Sequence, residues 1–129
     1  MRVLLDTHTV LWLARAPQMV SSSALAVLSD QSTTRFISAV TPWEMSIKAT
    51  SGKLPEALPV LLGFDEAVKA LVAEELPILR RHAVLAGQLD WARRDPFDRM
   101  LAAQAVIEGL TLVTKDPVFG TAPGVKVLW

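Results

Sequence analysis

The sequence predicts an α/β protein with a central, mostly parallel sheet of four to five short strands. Short β-rich runs alternate with longer segments of helical spacing. The connections between these runs are long enough to contain whole helices, which implies crossover connections between parallel strands. Helices are then expected on both faces of the sheet, and residues 1–129 are expected to form a single domain.

The elements are predicted in the following order along the chain. The β-rich runs are residues 2–5, 35–38, 110–113 and 125–128, with a further extended segment at 76–79. The helical segments are residues 8–15, a segment capped by the serines at 21–23, and residues 41–50, 64–75, 81–89 and 95–109. Residues 54–63 are rich in proline and are expected to form a loop with at most a short helix.

Two helix starts have clear capping signals. Thr41, Pro42 and Glu44 have the spacing of a capping box, with threonine as N-cap and proline at the first helical position. Asp95 followed by Pro96 predicts a second N-cap, and Gly109 predicts the end of that helix.

The composition excludes several classes of protein. Hydrophobic residues make up 51% of the chain and charged residues 20%, which is typical of a globular domain. No apolar run approaches the roughly 20 residues that a membrane helix needs, and Asp6 interrupts the first apolar run, which argues against a signal peptide. The chain has no cysteine, which excludes disulfides and favours a reducing, cytoplasmic location. The net charge is zero, so any surface for nucleic acid has to be local.

Four acidic residues fall at comparable places in these elements. Asp6 follows the first strand, Glu44 and Asp98 lie in the first turns of helices, and Asp116 follows a late strand. A parallel sheet brings strand carboxyl ends and the following helix starts to one edge, where ligands bind. Each acid also has an ordinary interpretation as a helix cap or turn residue, and for Asp6 the two interpretations are equally supported.

Carboxylates gathered at one edge repel each other, and a divalent cation removes that cost. All-oxygen ligands without cysteine favour a hard ion, Mg²⁺ or Mn²⁺. Such a site binds phosphodiesters and activates water. The two histidines, His8 and His82, have no zinc-site spacing and are interpreted as surface or helix-packing residues.

Four stretches that span nearly the whole chain form a specific combination in this order: LLDTHTVLWL, SAVTPWEMSIKATSGKL, DPFDRMLAAQAVIEGLTLVTKD and the closing GVKVLW. Through these stretches the chain resembles the PIN-domain ribonucleases, specifically the VapC-type toxins of type II toxin–antitoxin pairs. The resemblance implies a three-layer α/β/α PIN-like domain and an endoribonuclease that uses Mg²⁺ or Mn²⁺. By motif, the catalytic and metal-binding residues are Asp6, Glu44, Asp98 and Asp116.

Three further motif residues have less certain roles. Thr114 resembles the small hydroxyl that often supports such sites, but it also has a turn interpretation. Asp95 is interpreted mainly as a helix N-cap, with a supporting role beside the metal as the alternative. Arg99 has two interpretations, as a contact for phosphate or an acidic neighbour and as a solvated side chain.

The chain departs from the family pattern at two places. Arg93 stands where relatives often have histidine, and Phe119 and Gly120 occupy a loop where relatives often have tyrosine. Neither change affects the four acids. Five cations in or beside the motifs are candidates for RNA phosphate contacts, with solvated surface charge as the alternative: Lys48, Arg93, Arg94, Arg99 and Lys115.

The resemblance also implies partners. These are an RNA substrate, a cognate VapB-like antitoxin and a second copy of the chain in a homodimer, with no membrane partner. Hydrophobic material for an interface is present at Trp12, Trp43, Trp91 and residues 58–62. Three alternatives stay open, namely a receiver-like phosphoacceptor domain, a PIN-like binding module without catalysis, and a PIN nuclease for RNA processing that is not a toxin.

Overall fold

The computed structural model describes residues 1–129, and its centre is a five-stranded, fully parallel sheet. The strands are β1 (Arg2–Leu5), β2 (Thr34–Ser38), β3 (Ala73–Leu76), β4 (Thr111–Val113) and β5 (Lys126–Leu128). Their order across the sheet is β3-β2-β1-β4-β5. The predicted fold class is confirmed, at the upper end of the predicted strand number.

Seven helices cover the two faces of this sheet. They are α1 (Thr7–Arg15), α2 (Ser22–Ser29), α3 (Val40–Thr50), α4 (Ala57–Leu62), α5 (Phe64–Ala70), α6 (Arg80–Gln88) and α7 (Pro96–Glu108). None of them is long and apolar enough to cross a bilayer.

Two separate hydrophobic cores fill the space between the layers. Successive side chains of a strand point to opposite faces, so β1 places Val3 and Leu5 in one core and Leu4 in the other. The first core contains side chains of α1 to α4, and the second is built largely on α7 through Leu101, Ala102 and Ala105. The α/β/α layering follows directly from this alternation.

The chain changes direction across the sheet at β1. From β1 it moves outward to β2 and β3, and later elements return to add β4 and β5 on the other side. The crevice at the carboxyl ends of β1 and β4 is therefore a topological switch point, the position where open α/β sheets bind ligands. Asp6 follows β1 and Thr114 follows β4, so both lie at this crevice.

The region between residues 64 and 79 differs from the prediction. The predicted helix at 64–75 ends at Ala70, and the strand is residues 73–76, three residues before the predicted extended segment. Val72 has a φ of 49°, which breaks the helix and lets the following residues pair with β2. Glu74 and Glu75 are exposed on this edge strand, so no apolar run marked it in the sequence.

Several local predictions are confirmed. Ser21 caps α2 by accepting a hydrogen bond from the N–H of Ala24. Asp95 caps α7, and Gly109 ends it with a φ of 64°, a left-handed conformation that favours glycine. The loop predicted at residues 54–63 contains one short helix, α4.

The hydrophobic residues proposed for an interface fall into two groups. Trp91 is buried in the second core beside Phe119, so it is a core residue. Trp43 is 51% exposed, and Leu58 and Leu62 on α4 are also exposed.

Candidate active site

An open cleft of about 360 Å³ lies at the carboxyl-terminal edge of the sheet. All four predicted site acids line it, together with Asp95. Three cationic side chains, Lys48, Arg93 and Lys115, share the lining. In this arrangement no three acidic or histidine side chains converge on a single point in the manner of a finished metal-ligand set.

Asp6 is buried at the floor of the cleft, and its predicted role as a helix cap is confirmed. One carboxylate oxygen accepts a hydrogen bond from the N–H of Thr7 at 2.7 Å, which caps α1. The other accepts a hydrogen bond from the Thr114 hydroxyl at 2.8 Å. Burial raises the pKa of Asp6, and the Thr114 hydrogen bond only partly opposes this. The supporting hydroxyl expected at Thr114 is therefore in direct contact with Asp6.

Glu44 is also buried, but its helix begins differently from the prediction. Thr41 is not an N-cap, because α3 starts at Val40 and the N–H of Val40 donates to the Ser38 hydroxyl at 3.0 Å. The predicted capping box is therefore wrong. Glu44 instead accepts a hydrogen bond from the Thr7 hydroxyl at 2.6 Å and forms an ion pair with Lys48.

The Lys48–Glu44 pair has the predicted spacing of four residues on one helix. Desolvation lowers the pKa of Lys48, but the hydrogen bond and charge of Glu44 outweigh it, so the pKa is raised overall. Lys48 is therefore held by an acid of the site and is not a free surface cation.

Asp98 lies in the first turn of α7 and is 8% exposed. Asp95 occupies the N-cap position, where it accepts hydrogen bonds from the N–H groups of Phe97 and Asp98 at 2.9 and 3.3 Å. This leaves the side chain of Asp98 free to face the cleft, where the Nε–H of Arg93 donates to it at 2.7 Å. Burial raises the pKa of Asp98 to about 6, although the hydrogen bond from Arg93 opposes the shift.

Asp116 is exposed at the mouth of the cleft. It caps a short 3₁₀ turn at Pro117–Thr121 by accepting a hydrogen bond from the N–H of Val118 at 2.9 Å. Its own N–H donates to the Thr114 hydroxyl at 3.1 Å. Thr114 thus connects the outermost acid to Asp6.

Arg99 does not line the cleft. Its guanidinium donates hydrogen bonds to four backbone carbonyls at 2.7 to 2.9 Å, those of Ala86, Leu89, Trp91 and Arg93. These bonds fasten α7 to the end of α6 and to the loop that carries Arg93. Arg99 is a structural clamp, and neither of its predicted interpretations describes it.

Two residues in or beneath the cleft, His8 at its rim and buried Thr7, were not among the predicted site residues. The hydroxyl of Thr7 orients Glu44, and His8 is exposed at the rim beside Trp12, with ring centroids 5.7 Å apart. Lys115 lies over the Trp12 ring at 5.7 Å. Thr7 and His8 directly follow Asp6 in the LLDTH stretch. Their position next to a predicted site acid is the feature of the sequence that could have indicated them. His82 is buried at the α6–α7 contact, as a helix-packing residue.

The parallel sheet and the buried carboxylates at its switch point place the protein among α/β domains with an acidic cleft. Comparison with known protein families identifies which family it is. The family model of the PIN domain matches residues 3–124. The chain belongs to the PIN domain family. This agrees with the resemblance seen in the sequence motifs.

Individual relatives agree with this assignment. The chain is 29% identical over 115 residues to Ribonuclease VapC22 of Mycobacterium tuberculosis, covering 88% of this chain and 86% of the relative. Its fold is similar to a chain of VapBC2 from Rickettsia felis, solved bound to a promoter DNA fragment, with a TM-score of 0.68 at 17% identity over 99% and 98% of the two chains. A chain of VapBC-1 from nontypeable Haemophilus influenzae has a TM-score of 0.66 at 17% identity, covering 99% and 97%.

Proposed function

We propose that this chain is a metal-dependent endoribonuclease and the toxin of a type II toxin–antitoxin pair. The observation that carries the proposal is the convergence of Asp6, Glu44, Asp98 and Asp116 on one cleft at the switch point of the sheet. These acids come from four separate parts of the chain, and independent capping roles alone would not require them to share a cleft. The relative named Ribonuclease VapC22 supports the same reaction class.

The donor set fits a hard divalent cation, Mg²⁺ or Mn²⁺, because every candidate ligand is a carboxylate oxygen. Burial raises the pKa of both Asp6 and Asp98, so their ionised forms gain from a nearby positive charge. Asp6, Glu44, Asp98 and Asp116 are the residues that would hold the ion. When bound, it would lower the pKa of a water nucleophile and neutralise charge developing on the phosphate.

The chain's own residues prepare this site by fixing the carboxylates. The Thr114 hydroxyl and the Thr7 N–H hold the two oxygens of Asp6, and the Thr7 hydroxyl holds Glu44. Asp116 uses one oxygen as a cap and has the other free at the mouth of the cleft. Lys115 at the rim and exposed Arg94 are the remaining candidates for contacts with RNA phosphates.

The decisive experiment compares the purified protein with Asp98→Asn in an RNA cleavage assay, with Mn²⁺ and with EDTA. We expect the wild type to cleave only with metal, and the variant to lose cleavage while keeping its circular dichroism spectrum. Asparagine keeps the size of the side chain and removes its charge. Full cleavage by the folded variant, or wild-type cleavage in EDTA, would overturn the assignment of the site.

The toxin role requires a second experiment. Two structural neighbours are VapBC proteins, which supports a VapB-like antitoxin as a partner of this chain, and we propose a cytoplasmic location. We expect expression of the wild type, but not of Asp98→Asn, to arrest growth, and co-expression of the adjacent antitoxin gene to restore it. Cleavage without growth arrest would favour the alternative of a PIN nuclease for RNA processing.

A homodimer is also proposed. Trp43, Leu58 and Leu62 are exposed apolar side chains on α3 and α4 that a second copy would cover. Light scattering of the wild type and of Leu62→Glu measures this, because a buried charge at 80%-exposed Leu62 would dissociate a dimer formed there. A monomeric wild type would contradict the proposal, as would a dimer that Leu62→Glu leaves intact.

A further inference from the structure

The cleft contains two ion pairs that hold two of its four site acids. Glu44 is paired with Lys48, and Asp98 is paired with Arg93 at 2.7 Å. Asp6 and Asp116 instead accept hydrogen bonds from hydroxyl and N–H groups. The chain therefore supplies its own positive charges to half of the carboxylates that would bind a divalent cation.

The two pairs differ in construction. Lys48 lies one helical turn after Glu44 on α3, so helix geometry keeps them together, and the lysine side chain is only 26% exposed. Arg93 lies in the loop before α7, and its side chain is 40% exposed while that of Asp98 is 11% exposed. The arginine therefore contacts Asp98 from the more exposed side of the cleft that both residues line.

The loop backbone at Arg93 is nevertheless fixed. Its carbonyl accepts a hydrogen bond from Arg99 at 2.9 Å, and the same guanidinium holds the carbonyls of Leu89 and Trp91. The position of the Arg93 backbone is thus set by the clamp, while its exposed side chain can change rotamer without moving the fold. Arg94, the next residue, is exposed and forms no ion pair.

We propose that Arg93 is an internal counter-ion that competes with the divalent cation for Asp98. The proposal rests on the proposed function, because it takes Asp98 to be a metal ligand. The guanidinium donates to one oxygen of Asp98, and its charge neutralises part of the negative charge that would attract a cation. Metal binding therefore has to overcome the charge of Arg93, and Arg93 raises the metal concentration that the cleft needs.

Arg93 also has a role before metal binds. Without it, Asp98 would be a nearly buried carboxylate beside Asp95, with no cationic side chain donating a hydrogen bond to it. The pair therefore stabilises the metal-free fold while it weakens metal binding. Removing the arginine is expected to change these two properties in opposite directions, whereas a merely structural arginine would change both in the same direction.

The test measures Mn²⁺ binding by isothermal titration calorimetry for the wild type, Arg93→Gln and the matched control Arg94→Gln. Both variants lose one positive charge from adjacent residues. We expect Arg93→Gln to bind Mn²⁺ about tenfold more tightly than the wild type, the equivalent of about 1.4 kcal/mol. Arg94→Gln is expected to stay within about twofold, since only general charge is lost.

Thermal unfolding gives a second measurement. In EDTA the melting temperature of Arg93→Gln is expected to fall below that of the wild type, and saturating Mn²⁺ is expected to raise it by more. Arg93→Lys keeps the charge without the planar donor and should bind Mn²⁺ with intermediate affinity. Circular dichroism checks that each variant is folded.

The outcomes separate this inference from the proposed function. A wild type that binds no Mn²⁺ at millimolar concentration overturns the metal site itself. A wild type that binds Mn²⁺, with Arg93→Gln binding equally or more weakly, overturns only the role of Arg93. Equal tightening in Arg94→Gln also overturns it, because the effect would then be general electrostatics.

Discussion

Carboxylates occur in two contrasting settings in this protein, the cleft and the contact between α6 and α7. In the cleft, burial raises the pKa of Asp6 and Asp98. At the α6–α7 contact, hydrogen bonds from His82 and Arg81 lower the pKa of Glu108. The His82 Nδ1 accepts the N–H of Leu79, so its Nε2 carries the proton that is donated to Glu108 at 2.7 Å.

Glu108 is therefore an acid that stabilises the fold, whereas Asp6 and Asp98 are acids that we propose bind a ligand. Glu108 has two donors for one partly exposed carboxylate, so its charge is satisfied within the chain. The cleft has five carboxylates against three cationic side chains, and three of its acids, Asp6, Glu44 and Asp98, are buried. An excess of buried negative charge favours a nearby cation, and this is the reason why we propose the cation site in the cleft and not at Glu108.

The largest expected effect is on RNA cleavage, when one carboxylate charge is removed from the cleft and, for comparison, from the α6–α7 contact. Asp6→Asn should lower RNA cleavage by roughly 1000-fold, since it removes the charge of a buried acid that we propose as a metal ligand, and should leave the protein folded. Glu108→Gln should keep cleavage within about twofold and lower stability by roughly 1 kcal/mol. Cleavage rates and urea unfolding of the two variants measure this. Loss of cleavage in Glu108→Gln would break the distinction.

Arg99 lies beside the cleft, but the guanidinium bonds only backbone carbonyls, so we expect it to contribute to stability and not to the site. Arg99→Leu should destabilise the fold by about 3 kcal/mol, because four carbonyls lose their donor. Urea unfolding measures the change, and Arg94→Leu serves as control. A variant as stable as the control would show that water replaces the guanidinium without cost.

Thr114 supports the cleft acids without carrying charge. Thr114→Val keeps the side-chain shape but removes the donor to Asp6 and the acceptor for the Asp116 N–H. We expect metal affinity and cleavage to fall by about 10- to 100-fold, as for other residues that orient metal ligands. Thr114→Ser restores the hydroxyl and should recover most of the loss. A serine variant as weak as valine would contradict the hydrogen-bond explanation.

The smallest expected effect is the pH dependence at Glu108. Its folded pKa lies below the ordinary value of 4.5, so it contributes stability above pH 4.5 that is lost as the pH falls through the folded pKa. The stability difference between wild type and Glu108→Gln should thus be constant near neutral pH and shrink in acid. Urea unfolding at several pH values measures it. A difference that grows in acid would reverse the sign and contradict the assignment.

Features with local physical causes were predictable from the sequence. Ser21 and Asp95 cap their helices through N–H groups two or three residues away, and Gly109 adopts a conformation that favours glycine wherever it occurs. The β-rich runs also predicted β1, β2, β4 and β5 to within about a residue, because each contains apolar or β-branched residues between turn signals.

Features that depend on distant partners were not predictable in the same way. β3 forms because residues 73–76 pair with β2, although two of those residues are exposed glutamates. The capping box failed because the side chain of Thr41 is buried close to Thr7, with the two hydroxyls 3.4 Å apart, instead of capping α3. The propensity of a segment is a weak constraint when a tertiary contact opposes it.

The sequence by itself determined the fold class, the family resemblance and the choice of the four acids that line the cleft, since these follow from residue type, periodicity and motif order. Only the tertiary structure decided which charges meet. It paired Arg93 with Asp98, assigned Arg99 to four carbonyls and gave Glu108 its partners across α6 and α7. Partners of charged side chains depend on distances of a few ångströms that the path of the loops and the packing of helices set, and sequence patterns do not contain those distances.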